Sequence, residues 1–393
     1  RMSWGLRRCF WVVLVLLFPS SGLLCAADQP PNVVLIMTDN HGAWTLGCYG
    51  NPDIRTPHID RMAREGIRLT DFYSTCSVCT PSRSSLMTGC YPRRVGMHED
   101  YTGHWVLIPR SRRGLNPREV TIAEALKARG YATGCIGKWH LGLDDDYPDL
   151  KWHAMNRGFD ECYKFMGRGG HDYFQLRGVK GPEYAPIYRN KERIKEGDYE
   201  GYLTTRLTEE AVAFIDRQKQ KPFFLYLAYN AVHAPAQAPK EDIARMQKMF
   251  PQLDKKRAIL VAMLHHLDLG VGAVVKKLKD EGLWENTLLF FLTDNGGAKA
   301  MNANNGILRG FKGSLYEGGI RTPWVISWPA RFAGGRTIDA PVISLDILPT
   351  VVDAMGTKGA AKRVFDGKSL LPLLMGKSTA PHPVLYWNSG EPK

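Results

Sequence analysis

The stretch Asn32-Val33-Val34-Leu35-Ile36-Met37, running straight into Thr38-Asp39-Asn40, decides how the chain is read. From Val33 to Met37 no polar residue alternates with the apolar ones, and such a strand has both faces buried, as in parallel sheets covered by helices. Three further runs repeat the pattern. Ala132-Thr133-Gly134-Cys135-Ile136 leads into Gly137-Lys138-Trp139-His140, and Phe223-Phe224-Leu225-Tyr226-Leu227 into Asn230-Ala231-Val232-His233-Ala234-Pro235. Thr287-Leu288-Leu289-Phe290-Phe291-Leu292 leads into Thr293-Asp294-Asn295-Gly296-Gly297. Residues 57–64, 121–129, 204–217 and 257–281 carry apolar side chains at three- and four-residue spacing and are expected as helices, as is 345–355. Strands alternating with helices predict an α/β fold on a large mixed, mostly parallel sheet flanked by helices. Open sheets of this kind carry their sites just past the carboxyl ends of the strands, where each of these runs delivers its polar residues.

Two acid–amide pairs, Asp39-Asn40 and Asp294-Asn295, come from strands far apart in sequence. Either pair alone reads as a turn or cap, which Asp and Asn favour. Together they offer four oxygens to one hard cation, calcium or magnesium, whereas zinc or copper calls for more His and Cys. Arg83, Lys138, His140, His233 and Lys312 supply positive charge and proton-transfer groups suited to a tetrahedral anion. Singly, Gly-Lys-Trp-His reads equally well as a surface loop and His233 as a turn histidine. Cys79 opens Cys79-Thr80-Pro81-Ser82-Arg83, continued by Ser84-Ser85-Leu86-Met87-Thr88-Gly89. A cysteine there reads as a buried structural thiol or as a nucleophile activated by histidine, and neither accounts for Pro81, Ser82 and Arg83.

The 393 residues, 44% hydrophobic and 23% charged, exclude a disordered chain and suffice for one large core or two domains. Arg7-Arg8, the apolar run Cys9 to Phe18 and the small-residue site Cys25-Ala26-Ala27 have the form of a secretory signal peptide, with cleavage expected after Ala27. Ten apolar residues fall short of the ~20 that span a bilayer, so stable membrane insertion is not expected. Lipid modification of Cys25 is a minor alternative, since bulky Leu24 precedes it. Loss of Arg1, Arg7 and Arg8 lowers the formal charge from +13 to +10, which favours anionic partners; no nucleic-acid motif accompanies it. The remaining cysteines, Cys48, Cys76, Cys79, Cys90, Cys135 and Cys162, lack zinc-site spacing. If Cys79 is oxidised, five are left, and an odd number cannot all pair internally. Residues 144–197, rich in Gly, Tyr, Arg and His, are expected as loops over the site, with specificity sought around Arg168 to Tyr173.

Taken in order, these motifs resemble the signature of the type I (formylglycine-dependent) sulfatases, most closely arylsulfatases and N-acetylgalactosamine-6-sulfatases. The likeness rests on Cys79-Thr80-Pro81-Ser82-Arg83 with Thr88-Gly89, Gly137-Lys138-Trp139-His140-Leu141-Gly142, His233-Ala234-Pro235, Asp294-Asn295-Gly296, Gly310-Phe311-Lys312-Gly313 and Glu317-Gly318-Gly319-Ile320-Arg321. It runs from about residue 32 to 367. The resemblance implies an alkaline-phosphatase-like fold and hydrolysis of an aryl or carbohydrate sulfate ester. It implies that a formylglycine-generating enzyme oxidises Cys79, whose hydrated aldehyde attacks sulfur and forms a covalent sulfo-enzyme. By the same resemblance Asp39, Asn40, Cys79, Asp294 and Asn295 surround a calcium ion, with magnesium as an alternative. Arg83 then holds the gem-diol, Lys138 contacts aldehyde and sulfate, His233 and Lys312 bind sulfate and assist the departing alcohol, and His140 deprotonates the second hydroxyl.

The family commonly has two acids where this chain has Asp39-Asn40, so weaker calcium binding with activity retained is expected. The implied organisation is a signal peptide at 1–27, a catalytic domain at 28–378 and the start of a smaller, truncated C-terminal subdomain at 379–393, in a secreted or periplasmic protein. A sulfated small molecule or glycan is the expected substrate. Two rivals remain: a phosphonate monoester or phosphodiester hydrolase of the same superfamily, and a non-catalytic binder of sulfated glycan.

Overall fold

The structure, a computed structural model, describes residues 29–99, 103–108, 111, 113–142, 150–165, 170–178, 185–356 and 364–388. The expected signal peptide lies outside them, as do Arg168 and residues 389–393 of the expected C-terminal subdomain. The strands are β1 (Asn32–Thr38), β2 (Ile67–Leu69), β3 (Phe72–Tyr73), β4 (Ala132–Lys138), β5 (Glu161–Phe165), β6 (Ile187–Arg189), β7 (Glu192–Arg193), β8 (Phe223–Ala228), β9 (Thr287–Thr293), β10 (Trp324–Ser327), β11 (Arg336–Ile338) and β12 (Val342–Ile343). Ten of them form one sheet in the order β11-β2-β10-β9-β1-β8-β4-β5-β6-β7, and β12 pairs with β3 apart from it. The four expected strands are its centre, all parallel: β1 lies between β9 and β8, and β4 between β8 and β5. Antiparallel pairing is confined to the flanks, at β10 and β6.

The unbroken apolar runs are explained by what covers them. Val33, Leu35 and Met37 of β1, with Phe224, Phe290 and Leu292, pack on one face against helices α2 (Cys79–Thr88), α3 (Ile122–Lys127) and Ile347–Ala354. Val34 and Ile36, with Leu225, Leu227 and Phe291, face α1 (Pro57–Glu65), α4 (Leu203–Gln218) and α6 (Lys255–Asp280) on the other. Each such side chain gains about 1.5–3 kcal/mol on burial, so both layers hold the sheet. Among the described residues, α6 is long and apolar enough by length and composition to cross a bilayer. Here it contacts α1, α4 and α5 (Lys240–Met249), with Leu260, Val261, Leu264 and Leu267 buried.

Two expectations change. The excursion after β4 is not only loop: Glu161–Phe165 pairs in parallel with β4 and extends the sheet, carrying β6 and β7 at its edge. Its buried Lys164 escaped a hydrophobic reading because the ammonium lies 4.4 Å from the Tyr188 ring centroid, a cation–π partner supplied by β6. Helix α2 was not expected either, since every one of its residues is buried and no apolar stripe marks it in sequence. Residues 379–388 form no helix or strand. The six cysteines beyond the N-terminal segment are unbridged.

Strand register sets the level of the site. Thr38 pairs with Thr293, and Met37 and Gly137 both pair with Ala228, so the four central strands end together. Gly137 adopts φ +99°, and a Cβ there would lie 1.9 Å from the Ala228 carbonyl oxygen; only glycine lets β4 deliver Lys138 so close to β8. Just past β1, His41 is fully buried: Nε2 donates to the Thr45 carbonyl at 3.1 Å and Nδ1 lies 3.2 Å from Thr38 Oγ1. Burial lowers its pKa from 6.5 to about 4, against the smaller opposing effect of the Thr45 bond. Between those values the unfolded chain binds more protons, so the contribution is full above pH 6.5 and falls away towards pH 4, by about 3 kcal/mol. Denaturant unfolding at pH 4.5 and pH 7 is expected to show this loss, reduced in His41→Gln; an unchanged pH slope in that variant would count against neutral burial of His41.

Candidate active site

The carboxyl ends of β1 and β9 are stitched together before any ligand is considered. Asp294 N–H donates to the Thr38 carbonyl at 3.2 Å, Asn40 N–H to Asp294 Oδ1 at 3.2 Å, and His41 N–H to Thr293 Oγ1 at 3.1 Å. Asp39 N–H donates to the Ala231 carbonyl at 3.0 Å, which draws in the segment after β8 that carries His233. Against these ends stands the first turn of α2, with Cys79 as its first residue and Val78 as its N-cap. Negative charge is favoured at such a helix start.

Lys312 joins the parts. Its Nζ lies 3.2 Å from Cys79 Sγ, 2.8 Å from Asn40 Oδ1 and 3.3 Å from His233 Nε2. Cys79 Sγ is 3.8 Å from Asp39 Oδ1, and Lys138 forms a buried ion pair with Asp39 Oδ2. Arg83 donates to Asp294 Oδ2 through Nε at 3.0 Å and Nη2 at 2.8 Å; Nη1 donates to the Tyr226 hydroxyl at 3.1 Å and the Lys138 carbonyl at 3.2 Å. Nη2 also stands 3.5 Å from Asp39 Oδ2. Its donors thus go to the two carboxylates, the Tyr226 hydroxyl and the Lys138 carbonyl.

His140 enters differently. It follows β4 at φ 57° and donates from Nε2 to the Leu107 carbonyl at 2.9 Å, which fixes the tautomer and leaves Nδ1 buried without a partner. It makes no hydrogen bond to Cys79 among the described residues. The structure therefore gathers Asp39, Asn40, Cys79, Arg83, Lys138, His233, Asp294, Asn295 and Lys312 into one contact network, with His140 beside it. Tyr226 and Ser82, whose hydroxyl donates to the Asp294 carbonyl, were missed. The one hydroxyl inside the apolar run 223–227 was the available signal for Tyr226.

Charge is unevenly balanced, with Arg83, Lys138 and Lys312 against Asp39 and Asp294. Burial opposes the charge on Lys312, but Cys79, Asp39 and Asp294 outweigh it and raise its pKa. Burial first, then the charges of Lys312 and Lys138, push His233 well below the ordinary value; burial and Lys138 do the same to His140. Both imidazoles are thus neutral beside charged lysines. Burial and then Asp39 push the Cys79 thiol up, so at neutral pH it stays protonated and is a poor thiolate nucleophile.

The oxygens of Asp39, Asn40, Asp294 and Asn295 fit a hard divalent cation. Asn295 donates from Nδ2 to Asn40 Oδ1 at 2.8 Å, while its own Oδ1 is buried with no partner. Such an orphan costs about 1–3 kcal/mol unless something pairs with it. Asp39, Cys79 and His233 offer a second, softer set within 4.8 Å of one another. The Lys312 ammonium touches Asn40, Cys79 and His233 alike, so it stands between the two sets.

Cation-binding oxygens and fixed positive groups converging on one helix start are what sulfuryl transfer needs, and at the carboxyl edge of this sheet they define a sulfuric ester hydrolase of alkaline-phosphatase-like fold. The chain belongs to the sulfatase family, whose model, Sulfatase, matches residues 31–357. It is 37% identical to arylsulfatase A of Homo sapiens over 96% of this chain and 74% of that one. With steryl-sulfatase of Mus musculus it shares 33% identity over 89% of this chain, spanning 66% of the relative's length. Among solved structures it is similar to Ps i-CgsB in complex with k-i-k-neocarrahexaose, at TM-score 0.81 and 36% identity, covering 90% of this chain and 78% of that one.

Proposed function

We propose that this protein cleaves the sulfate ester of a sulfated glycan at Cys79 in its formylglycine form, with calcium held by Asp39, Asn40, Asp294 and Asn295. The observation that carries the reading is Lys312 Nζ, within 3.3 Å of Cys79 Sγ, Asn40 Oδ1 and His233 Nε2 at once. The oxidised residue supplies a hydrated aldehyde as nucleophile, and the cation, with magnesium as an alternative, supplies charge to the sulfate oxygens. Lys312 and Lys138 hold the sulfate. His233 donates from Nδ1 to the Ala234 carbonyl at 2.9 Å, so its Nε2 accepts from Lys312 and keeps that ammonium, the proton source, aimed at the bridging oxygen. The bare Nδ1 of neutral His140 is the base for the second hydroxyl. Arg83 holds the carboxylates in place.

A saccharide substrate is favoured by the similarity to a protein solved with k-i-k-neocarrahexaose and by the basic charge, which falls only from +13 to +10 once residues 1–27 are removed. The reading includes export with cleavage after Ala27, a catalytic domain at 28–378, and oxidation of Cys79 by a formylglycine-generating enzyme. Mass spectrometry of the peptide carrying Cys79, from protein made in its native host, tests it: CHO in place of CH2SH is expected, and an intact thiol would favour a non-catalytic glycan binder. Parallel assays on an aryl sulfate and a phenyl phosphonate are expected to favour the sulfate; the opposite preference would overturn the choice. Asn40→Asp is expected to tighten calcium binding roughly tenfold by calorimetry, because both neighbours of Oδ1, Lys312 and Asn295, are donors that a carboxylate also accepts. Unchanged calcium affinity would show that the amide costs the site nothing.

A further inference from the structure

Beside α2 lies a cavity of about 510 Å³, within the roughly 300–1,000 Å³ that ligand sites occupy. Its wall includes Ser77 and Pro81, either side of Cys79, yet none of the charged residues described above; it adjoins the anion site without being part of it. Two indoles, Trp105 and Trp387, face it together with Tyr91. Trp387 is locked, with Nε1 donating to the Ser74 carbonyl at 2.9 Å and its ring centroid 5.1 Å from that of Tyr73. Trp105 is 44% exposed, which leaves its ring face open to the cavity. Arg93 and His98 add polarity. Arg94 is paired with Asp366 at 2.8 Å, but the Arg93 guanidinium has no ion-pair partner among the described residues. His98 Nδ1 is buried without a hydrogen-bond partner.

This wall is also tied to the catalytic parts. Leu107, two residues past Trp105, donates its N–H to Thr80 Oγ1 at 3.1 Å, and its carbonyl holds His140. On the other side the Ser77 carbonyl accepts from Gly313 N–H at 2.9 Å, next to Lys312. We propose that this cavity is the subsite for the saccharide that leaves: a sugar ring packs its C–H face on Trp105 and Trp387, and a second sulfate on the same oligosaccharide pairs with Arg93. The aromatic faces provide apolar area at little entropic cost, and the planar guanidinium matches an oxyanion bidentately. The inference rests on the glycan reading above and narrows it to oligosaccharides bearing more than one sulfate.

Trp105→Ala and Arg93→Ala separate the two contacts. With k-i-k-neocarrahexaose as substrate each is expected to lower kcat/KM by 10- to 100-fold, chiefly through KM, while 4-nitrophenyl sulfate, one ring long, changes less than about threefold; Trp105→Phe restores most of the loss. Equal losses on both substrates, or none on the hexasaccharide, would overturn the subsite. If wild-type protein releases sulfate from neither, the hydrolase reading fails, and calorimetry still tests the cavity. Hexasaccharide affinity should then drop about tenfold in each variant, with its desulfated form sensitive to Trp105 alone. No binding, or affinity indifferent to both residues, would overturn the subsite on that arm.

Discussion

Cys79→Ala is expected to reduce sulfate release by about 10⁴- to 10⁶-fold, the scale on which removal of a covalent nucleophile acts. Folding should survive it. The side chain contributes one thiol contact to Lys312, at 3.2 Å, and one to Asp39, at 3.8 Å, and Lys312 keeps Asn40 and His233 as partners. A stability change of about 1 kcal/mol is the expected scale. Cys79→Ser sharpens the test: a serine can take up a sulfuryl group but has no second hydroxyl through which to expel it. At most one turnover per molecule is expected, read as a burst of alcohol release followed by silence. Steady turnover by either variant would remove Cys79 from the chemistry and return the site to Lys312 and its neighbours.

Arg83→Ala is expected to cost about 3–5 kcal/mol of stability, the largest such loss among the site residues. The guanidinium is fully buried and is the partner of Asp294 through two hydrogen bonds, and it also satisfies Tyr226 and the Lys138 carbonyl. Alanine leaves a buried carboxylate, a hydroxyl and a carbonyl short of donors in one step. Denaturant unfolding in the presence of a chelator reads the loss, and added calcium should recover part of it by pairing with the stranded carboxylate. Arg83→Lys should recover less than half, since a point charge does not reproduce the fork. A midpoint unmoved by Arg83→Ala would mean that the carboxylates are held without it.

The central strands were legible in sequence because both faces of the sheet are covered, which leaves Val33 to Met37 and Thr287 to Leu292 no polar alternation. Helix α2 was not, because burial on all sides erases the stripe that identifies a helix. The extension after β4 was hidden by Lys164, a charge tolerated in the interior through the Tyr188 ring. Of the site, Lys138, His140, His233 and the two acid–amide pairs could be named from their types and their places at strand ends, and Cys79 and Lys312 from the motifs that hold them. Tyr226 could not be separated from its apolar neighbours, nor Trp105 and Trp387 from ordinary surface aromatics.

What the amino-acid sequence determined by itself is residue type and level: two acid–amide pairs, a lysine and two histidines delivered at the ends of buried strands, and a cysteine that opens Cys79-Thr80-Pro81-Ser82-Arg83. What only the tertiary structure decided is partnership. Parallel register across β9, β1, β8 and β4 brings Asp39 and Asp294 together, and Arg83 and Lys138 neutralise them from two other elements. Such pairing depends on side chains 99 residues apart, for Lys138 and Asp39, or 211, for Arg83 and Asp294, meeting at a few ångströms, a condition set by strand order that no local pattern of residues encodes. The same condition sets the Arg83 guanidinium between Asp39 and Asp294, and it leaves an aromatic cavity beside the helix turn that carries Cys79.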